Sequence, residues 1–196
     1  EYVDAGADFI TTNTFRTTPR AYLKTGINSK KASQTAKNSL VRAVELAKKT
    51  ALQRTKIIGS IAPLEDCYRP DLFPGRDVAI SEFSYLGKWM IEAGVDIFLL
   101  ETMNSMEETE AGLCALKDID LPLWVSFVLK DENYLLSGDR LSDALNMLNN
   151  FQIEMVLLHC NPLGRTKKVV DNIVDNWSDS WGIYPNLDRK STRLNS

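Results

Sequence analysis

Two side chains in this 196-residue sequence stand where apolar runs end, and each could do chemistry from there. Glu101 closes Ile97-Phe98-Leu99-Leu100, and a carboxylate in that position is costly to bury unless something pairs with it. One available partner is the positive N-terminus of a helix that should begin near Ser105. Cys160 closes Met155–Cys160 and is followed by Asn161-Pro162. Free cysteine is among the most buried residue types, but a strand end is where a reactive thiol would be presented rather than packed. Asn13 and Thr14 stand near the end of the first run, and Asn186 follows the last. They can hydrogen-bond a ligand at the same mouth, and equally they can organise the turns that leave those strands. His159 is the one histidine. Successive strand residues point to opposite faces, so if Cys160 faces the interior, His159 is expected to face outward as a packed residue. Cys114 lies among Ala111, Leu113 and Leu116 and reads as packing. Cys67 has no second cysteine or histidine spaced with it for a local metal site.

The elements that position these residues alternate regularly. Short apolar runs at Asp8–Phe15, Lys56–Leu64, Asp96–Met103, Leu123–Leu129, Met155–Cys160 and Trp181–Tyr184 are separated by amphipathic stretches. Most of the runs are continuous rather than alternating, as parallel strands covered on both faces require. Between them, Ala36–Leu52 carries Leu40, Val44, Ala47 and Ala51 along one helical stripe. Ser81–Ala93 and Ser105–Lys117 are further helices, the latter opening on a capping box of Ser105 and Glu108. Ala5-Gly6-Ala7-Asp8 and Ala93-Gly94-Val95-Asp96 repeat one helix-to-strand turn, with glycine where a helix stops. No glycine-rich phosphate turn follows the first strand, which disfavours an open doubly wound sheet. Polar residues instead stand after nearly every strand: Asn13, Glu65, Glu101, Lys130, Cys160 and Asn186. Barrel active sites are assembled in that way, so the expected fold is α/β, an incomplete (β/α)₈ TIM barrel.

Composition narrows the class. A net charge of −3 gives no reason to expect nucleic acid or an anionic membrane as partner. No apolar run approaches the ~20 residues that cross a bilayer. Three widely spaced cysteines suit a reducing cytoplasm better than a disulfide framework. Glu1-Tyr2-Val3-Asp4 reads as the end of a helix already under way, and residues 188–196 read as a non-native tail similar to a translated sequencing adapter. The expected organisation is therefore a partial barrel domain over 1–187 with a tail over 188–196.

Four segments resemble the zinc-dependent homocysteine S-methyltransferase family: Ala5 through Phe15, Gly59-Ser60-Ile61-Ala62-Pro63, Leu99-Leu100-Glu101-Thr102 and His159-Cys160-Asn161-Pro162. Tyr184-Pro185-Asn186 resembles the family's seventh strand. The resemblance implies strands two to seven of the barrel and transfer of a methyl group to the thiol of homocysteine, forming methionine. It implies Zn²⁺ held by three thiolates, one ending the family's sixth strand, where Cys160 stands, and an adjacent pair after the last strand. Coordination would deprotonate a thiol whose pKa is otherwise about 8.5. By the same resemblance Glu101 would hold the α-amino group of homocysteine, with Asn13, Thr14 and Asn186 at the same mouth. The resemblance further implies a methyl donor that is a small molecule or a carrier-bound methyl group. His159 departs from the family, which often has asparagine or another small polar residue there. The family's first strand and its cysteine pair have no counterpart in these residues, so the chain taken alone is expected to be inactive. Two other readings stay open: a metal-free barrel enzyme on a small carboxylate or phosphate, and a non-catalytic metabolite-binding barrel.

Overall fold

The computed structural model describes residues 3–52 and 54–186. Six strands form one sheet in chain order, each pairing parallel: β1 (Phe9–Thr11), β2 (Lys56–Ile61), β3 (Ile97–Met103), β4 (Leu123–Phe127), β5 (Met155–Pro162) and β6 (Ser180–Asn186). The connections carry α1 (Pro19–Leu23) and α2 (Ser29–Thr50), then α3 (Arg76–Ala93), α4 (Met106–Leu116), α5 (Leu141–Leu148) and α6 (Leu163–Asn176). This is the expected incomplete (β/α)₈ arrangement, with one helical connection between each pair of neighbouring strands.

The sheet separates two cores. Phe98, Leu100, Val125, Phe127, Val156 and Leu158 face the helices. Ile58, Ile97, Leu99 and Trp124 form an inner cluster with Met155 and Leu157. Burial on both faces explains the continuous apolar runs. The ring of Phe9 on β1 meets Trp124 on β4 edge-on, centroids 5.0 Å apart. Those strands are not neighbours in the sheet, so the contact exists because the sheet curls into a half-barrel with this cluster on its concave side.

Local signals explain the element ends. Gly94 caps α3 in the left-handed conformation (φ 82°), its N–H donating to Met90 and Ile91 carbonyls. Gly6 has φ 101° in the equivalent turn before β1. Only glycine adopts such angles without steric cost. α2 starts two turns earlier than its apolar stripe suggests, because Asn28 caps it by accepting from Lys31 N–H at 2.9 Å. The early residues Ser29, Lys30 and Lys31 are polar and carry no periodic signal.

Three strands end before their apolar runs do, for a shared reason: side chains take over the backbone groups that a longer ladder would use. Beyond β1, Thr12 Oγ1 accepts from Ser60 N–H at 3.2 Å and Thr14 Oγ1 donates to Ser60 O at 2.7 Å. Beyond β2, Leu64 N–H donates to the Glu108 carboxylate at 2.7 Å. Beyond β4, Leu129 N–H donates to Asn161 Oδ1 at 2.8 Å. The capping box is accordingly half a box. Ser105 Oγ accepts from Glu108 N–H at 3.3 Å, while the Glu108 side chain crosses to the β2 loop instead of returning to Ser105.

Val3–Gly6 is a turn, closed by Gly6 N–H to Val3 O at 3.0 Å; Glu1 and Tyr2, the start of the expected helix end, lie outside the described residues. The proposed tail, residues 188–196, lies outside the described residues. Among the described residues no helix is long and apolar enough to cross a membrane.

Candidate functional site

The inner line of β3 runs Ile97, Leu99, Glu101, so the apolar cluster ends upward in a carboxylate. Both oxygens of that carboxylate have donors on other strands. Ser60 on β2, fully buried, donates its hydroxyl to Oε2. His159 on β5 places Nε2 3.1 Å from Oε1. Burial raises the pKa of Glu101, and the Ser60 hydrogen bond opposes that by favouring the charged form. Burial also pulls the His159 pKa down to about 4, so near neutrality the imidazole is uncharged. The neutral ring donates through Nε2–H to the carboxylate, which leaves Nδ1 as a buried acceptor without a partner among the described residues. Tyr184 meets the His159 ring edge-on at 4.3 Å.

His159 therefore lies on the inner line, not against the helices as simple alternation predicts. It shares that line with Met155 and Leu157. Alternation fails one residue later, because Cys160 has φ 54° and the β5–β6 register shifts between His159 and Pro162. Among the described residues, Cys160 and Thr102 are the positive-φ residues other than glycine. Such backbone is uncommon and has to be held by its surroundings. Ser126 Oγ accepts from Thr102 N–H at 2.8 Å, and Asn186 Nδ2 donates to Cys160 O at 3.2 Å. The two strained peptides thus sit beside and at the two residues singled out for chemistry, Glu101 and Cys160.

Cys160 opens onto a cavity of about 490 Å³ that it shares with Asp66, Tyr68, Leu136, Arg165 and Asn186. Burial and the nearby Glu101 charge push its thiol up, while a hydrogen bond from Tyr68 favours the thiolate. Asn186 and Cys160 are brought together here, as the strand-end argument requires. Asn13 is exposed and lines a different trough of about 700 Å³ between β1 and α2, with Thr17, Asn38 and Arg42. Thr14 is buried, and its hydroxyl is spent on the Ser60 carbonyl and on Thr12. Cys67 is buried with its thiol pushed up to about 11 by burial, and Cys114 lies 3.5 Å from the Arg76 guanidinium. Neither Ser60, quoted above only as part of a motif, nor Tyr68 has a role predicted from the sequence. A lone serine at inner parity in an otherwise apolar strand was the available signal for Ser60, and Tyr68 offered none.

Zinc takes three or four protein ligands. Among the described residues no group of three or more histidine, cysteine or acidic side chains converges to hold a metal. Cys160 offers a single thiol, so this donor set does not by itself fit the ion.

Comparison with known proteins places these features in context. The family model for homocysteine S-methyltransferase matches residues 1–195. The chain is 27% identical over 202 residues to homocysteine S-methyltransferase YbgG of Bacillus subtilis (strain 168), covering 95% of this chain and 64% of that protein. It is 23% identical over 207 residues to homocysteine S-methyltransferase 1 of Arabidopsis thaliana, with the same two coverages. The chain therefore spans less than two thirds of the length of these curated relatives. The metallated form of the homocysteine methyltransferase MmuM from Escherichia coli superposes with a TM-score of 0.85 at 23% identity, over 98% of this chain and 72% of that one. At that identity the superposition speaks for the fold.

Proposed function

The chain belongs to the homocysteine S-methyltransferase family, and from that premise we propose that the whole protein transfers a methyl group to the sulfur of homocysteine, forming methionine. The observation that carries this reading is the strand-end pair itself. A hydrogen-bonded carboxylate, Glu101, and a thiol, Cys160, stand on β3 and β5 at the same end of one parallel sheet, each with strained backbone in or next to it.

Homocysteine carries an ammonium group at one end and a thiol at the other. Glu101 takes the ammonium group, since its carboxylate is already oriented by two donors and needs a cation to offset its burial. The sulfur then lies toward the Cys160 side of the mouth. In the reaction the sulfur attacks the methyl carbon, a new C–S bond forms, and the donor's bond to that carbon breaks with its electron pair leaving on the donor. The thiol proton passes to solvent. The donor is a methyl group activated on a sulfonium, a quaternary ammonium or a carrier. In the whole protein Cys160 is proposed as one ligand of Zn²⁺, which when bound makes a thiol acidic enough to react near neutrality. Asn186 supports Cys160 through its carbonyl, and Thr14 supports Ser60. Net charge −3 and the three free cysteines favour a cytoplasmic protein with no nucleic-acid or membrane partner.

Incubating the whole protein with homocysteine and a deuterated-methyl donor, either S-methylmethionine, S-adenosylmethionine or betaine, tests the proposal by mass spectrometry. Labelled methionine is expected from at least one donor. Label that appears without homocysteine, or on another acceptor only, contradicts it.

A further inference from the structure

Glu101 is tied, directly or through a second residue, to all five other strands. Ser60 on β2 donates to one of its oxygens and His159 on β5 to the other. Ser60 is itself clamped at both backbone groups, its N–H by Thr12 and its carbonyl by Thr14, just beyond β1. His159 is backed edge-on by Tyr184 on β6. Between β3 and β5, Ser126 of β4 holds the Thr102 peptide that follows Glu101. Every member from Thr12 to His159 is buried, apart from Glu101 itself, whose side chain is 13% exposed. Of the groups from Thr12 to His159, the carboxylate at the centre is thus the most open to a ligand.

We propose that His159 is a positioning residue: with Ser60 it fixes the Glu101 carboxylate in one orientation and so sets the preference for thiols that bear an α-ammonium group. This rests on the reading of Glu101 as the ammonium site. The contact needs only a hydrogen on Nε2, which the ring carries there whether neutral or protonated. Asparagine in the same place has its amide nitrogen at the Nδ1 level, too near the backbone to make this contact. A residue that merely filled space against Tyr184 would affect all substrates alike.

The test uses the whole protein and two acceptors, homocysteine and 4-mercaptobutanoate, which lacks the amino group. His159→Leu removes the donor. His159→Met does so while filling irregular space more adaptably, should the leucine variant fail to fold. His159→Gln keeps an N–H at the reach of Nε2. Loss of one hydrogen bond to a charged group predicts a rise in KM for homocysteine of roughly tenfold to a hundredfold. The values for 4-mercaptobutanoate should barely move, so discrimination between the two thiols collapses, and His159→Gln should restore most of it. Equal losses on both thiols, or no rescue by glutamine in a folded variant, overturn the inference. A crystal structure of His159→Met separates this from the functional reading. A displaced Glu101 carboxylate supports the positioning role whatever the substrate is, and an unmoved one refutes it even if homocysteine is methylated.

Discussion

Glu101→Gln is expected to lower kcat/KM for homocysteine by roughly a hundredfold to a thousandfold, while leaving the folded protein as stable as before or slightly more so. Glutamine has the shape of the carboxylate. Its amide oxygen can accept from His159 and its amide nitrogen can donate to Ser60, so the strand ends keep their contacts. Only the negative charge is lost. Removing one partner of a desolvated charge pair costs about 2–5 kcal/mol, and about 3–4 kcal/mol corresponds to the stated range. The fold gains slightly, because burial already disfavours the charged form of Glu101. Steady-state kinetics alongside a thermal melt checks both halves. A variant with wild-type kinetics shows that Glu101 holds no substrate cation, and one that loses activity only by unfolding shows a structural role.

The second large effect concerns stability. Glu108 is 2% exposed, and burial raises its pKa from 4.5 to about 7. Its hydrogen bond from Leu64 N–H, with Arg20 and Arg16 nearby, pulls the other way, and Glu65 adds to the rise. Between pH 4.5 and about 7 the folded chain retains a proton that the unfolded chain has released. Stability from this group is therefore complete below the lower value and is lost as pH rises through the upper one, by up to about 3 kcal/mol. Glu108→Gln keeps an oxygen for Leu64 and carries no charge. Wild type and variant should have similar urea midpoints near pH 5, and the variant should be the more stable by about 1–3 kcal/mol at pH 8. Parallel pH profiles for the two proteins contradict the account. The consequence reaches the site, since Leu64 leads directly into the loop that carries Asp66 and Tyr68 to the Cys160 cavity.

The parts of this molecule that were legible in its sequence share a physical basis. Continuous apolar runs announced strands buried on two faces, and Gly6 and Gly94 marked turns that need positive φ. Glu101 and Cys160 stood out because a polar group at the end of an apolar strand has few reasons to be there. What escaped were effects of side chains acting across strands. The ends of β1, β2 and β4 are set by Thr12, Thr14, Glu108 and Asn161, whose partners are 32 to 48 residues away in sequence. Strict alternation counted back from Cys160 puts His159 on the wrong face, because it crosses a peptide where Cys160 turns left-handed. The sequence pattern makes Glu108 a local cap, its ordinary role there, whereas in the fold the neighbouring β2 loop competes for its side chain.

The most direct test of the proposed site is a crystal structure of the whole protein with homocysteine bound. The amino nitrogen is expected within hydrogen-bonding distance, about 2.7–3.2 Å, of the Glu101 carboxylate, with His159 and Ser60 still in place and the sulfur on the Cys160 side of the mouth. Homocysteine bound with its amino group away from Glu101, or in the trough beside Asn13, contradicts the account.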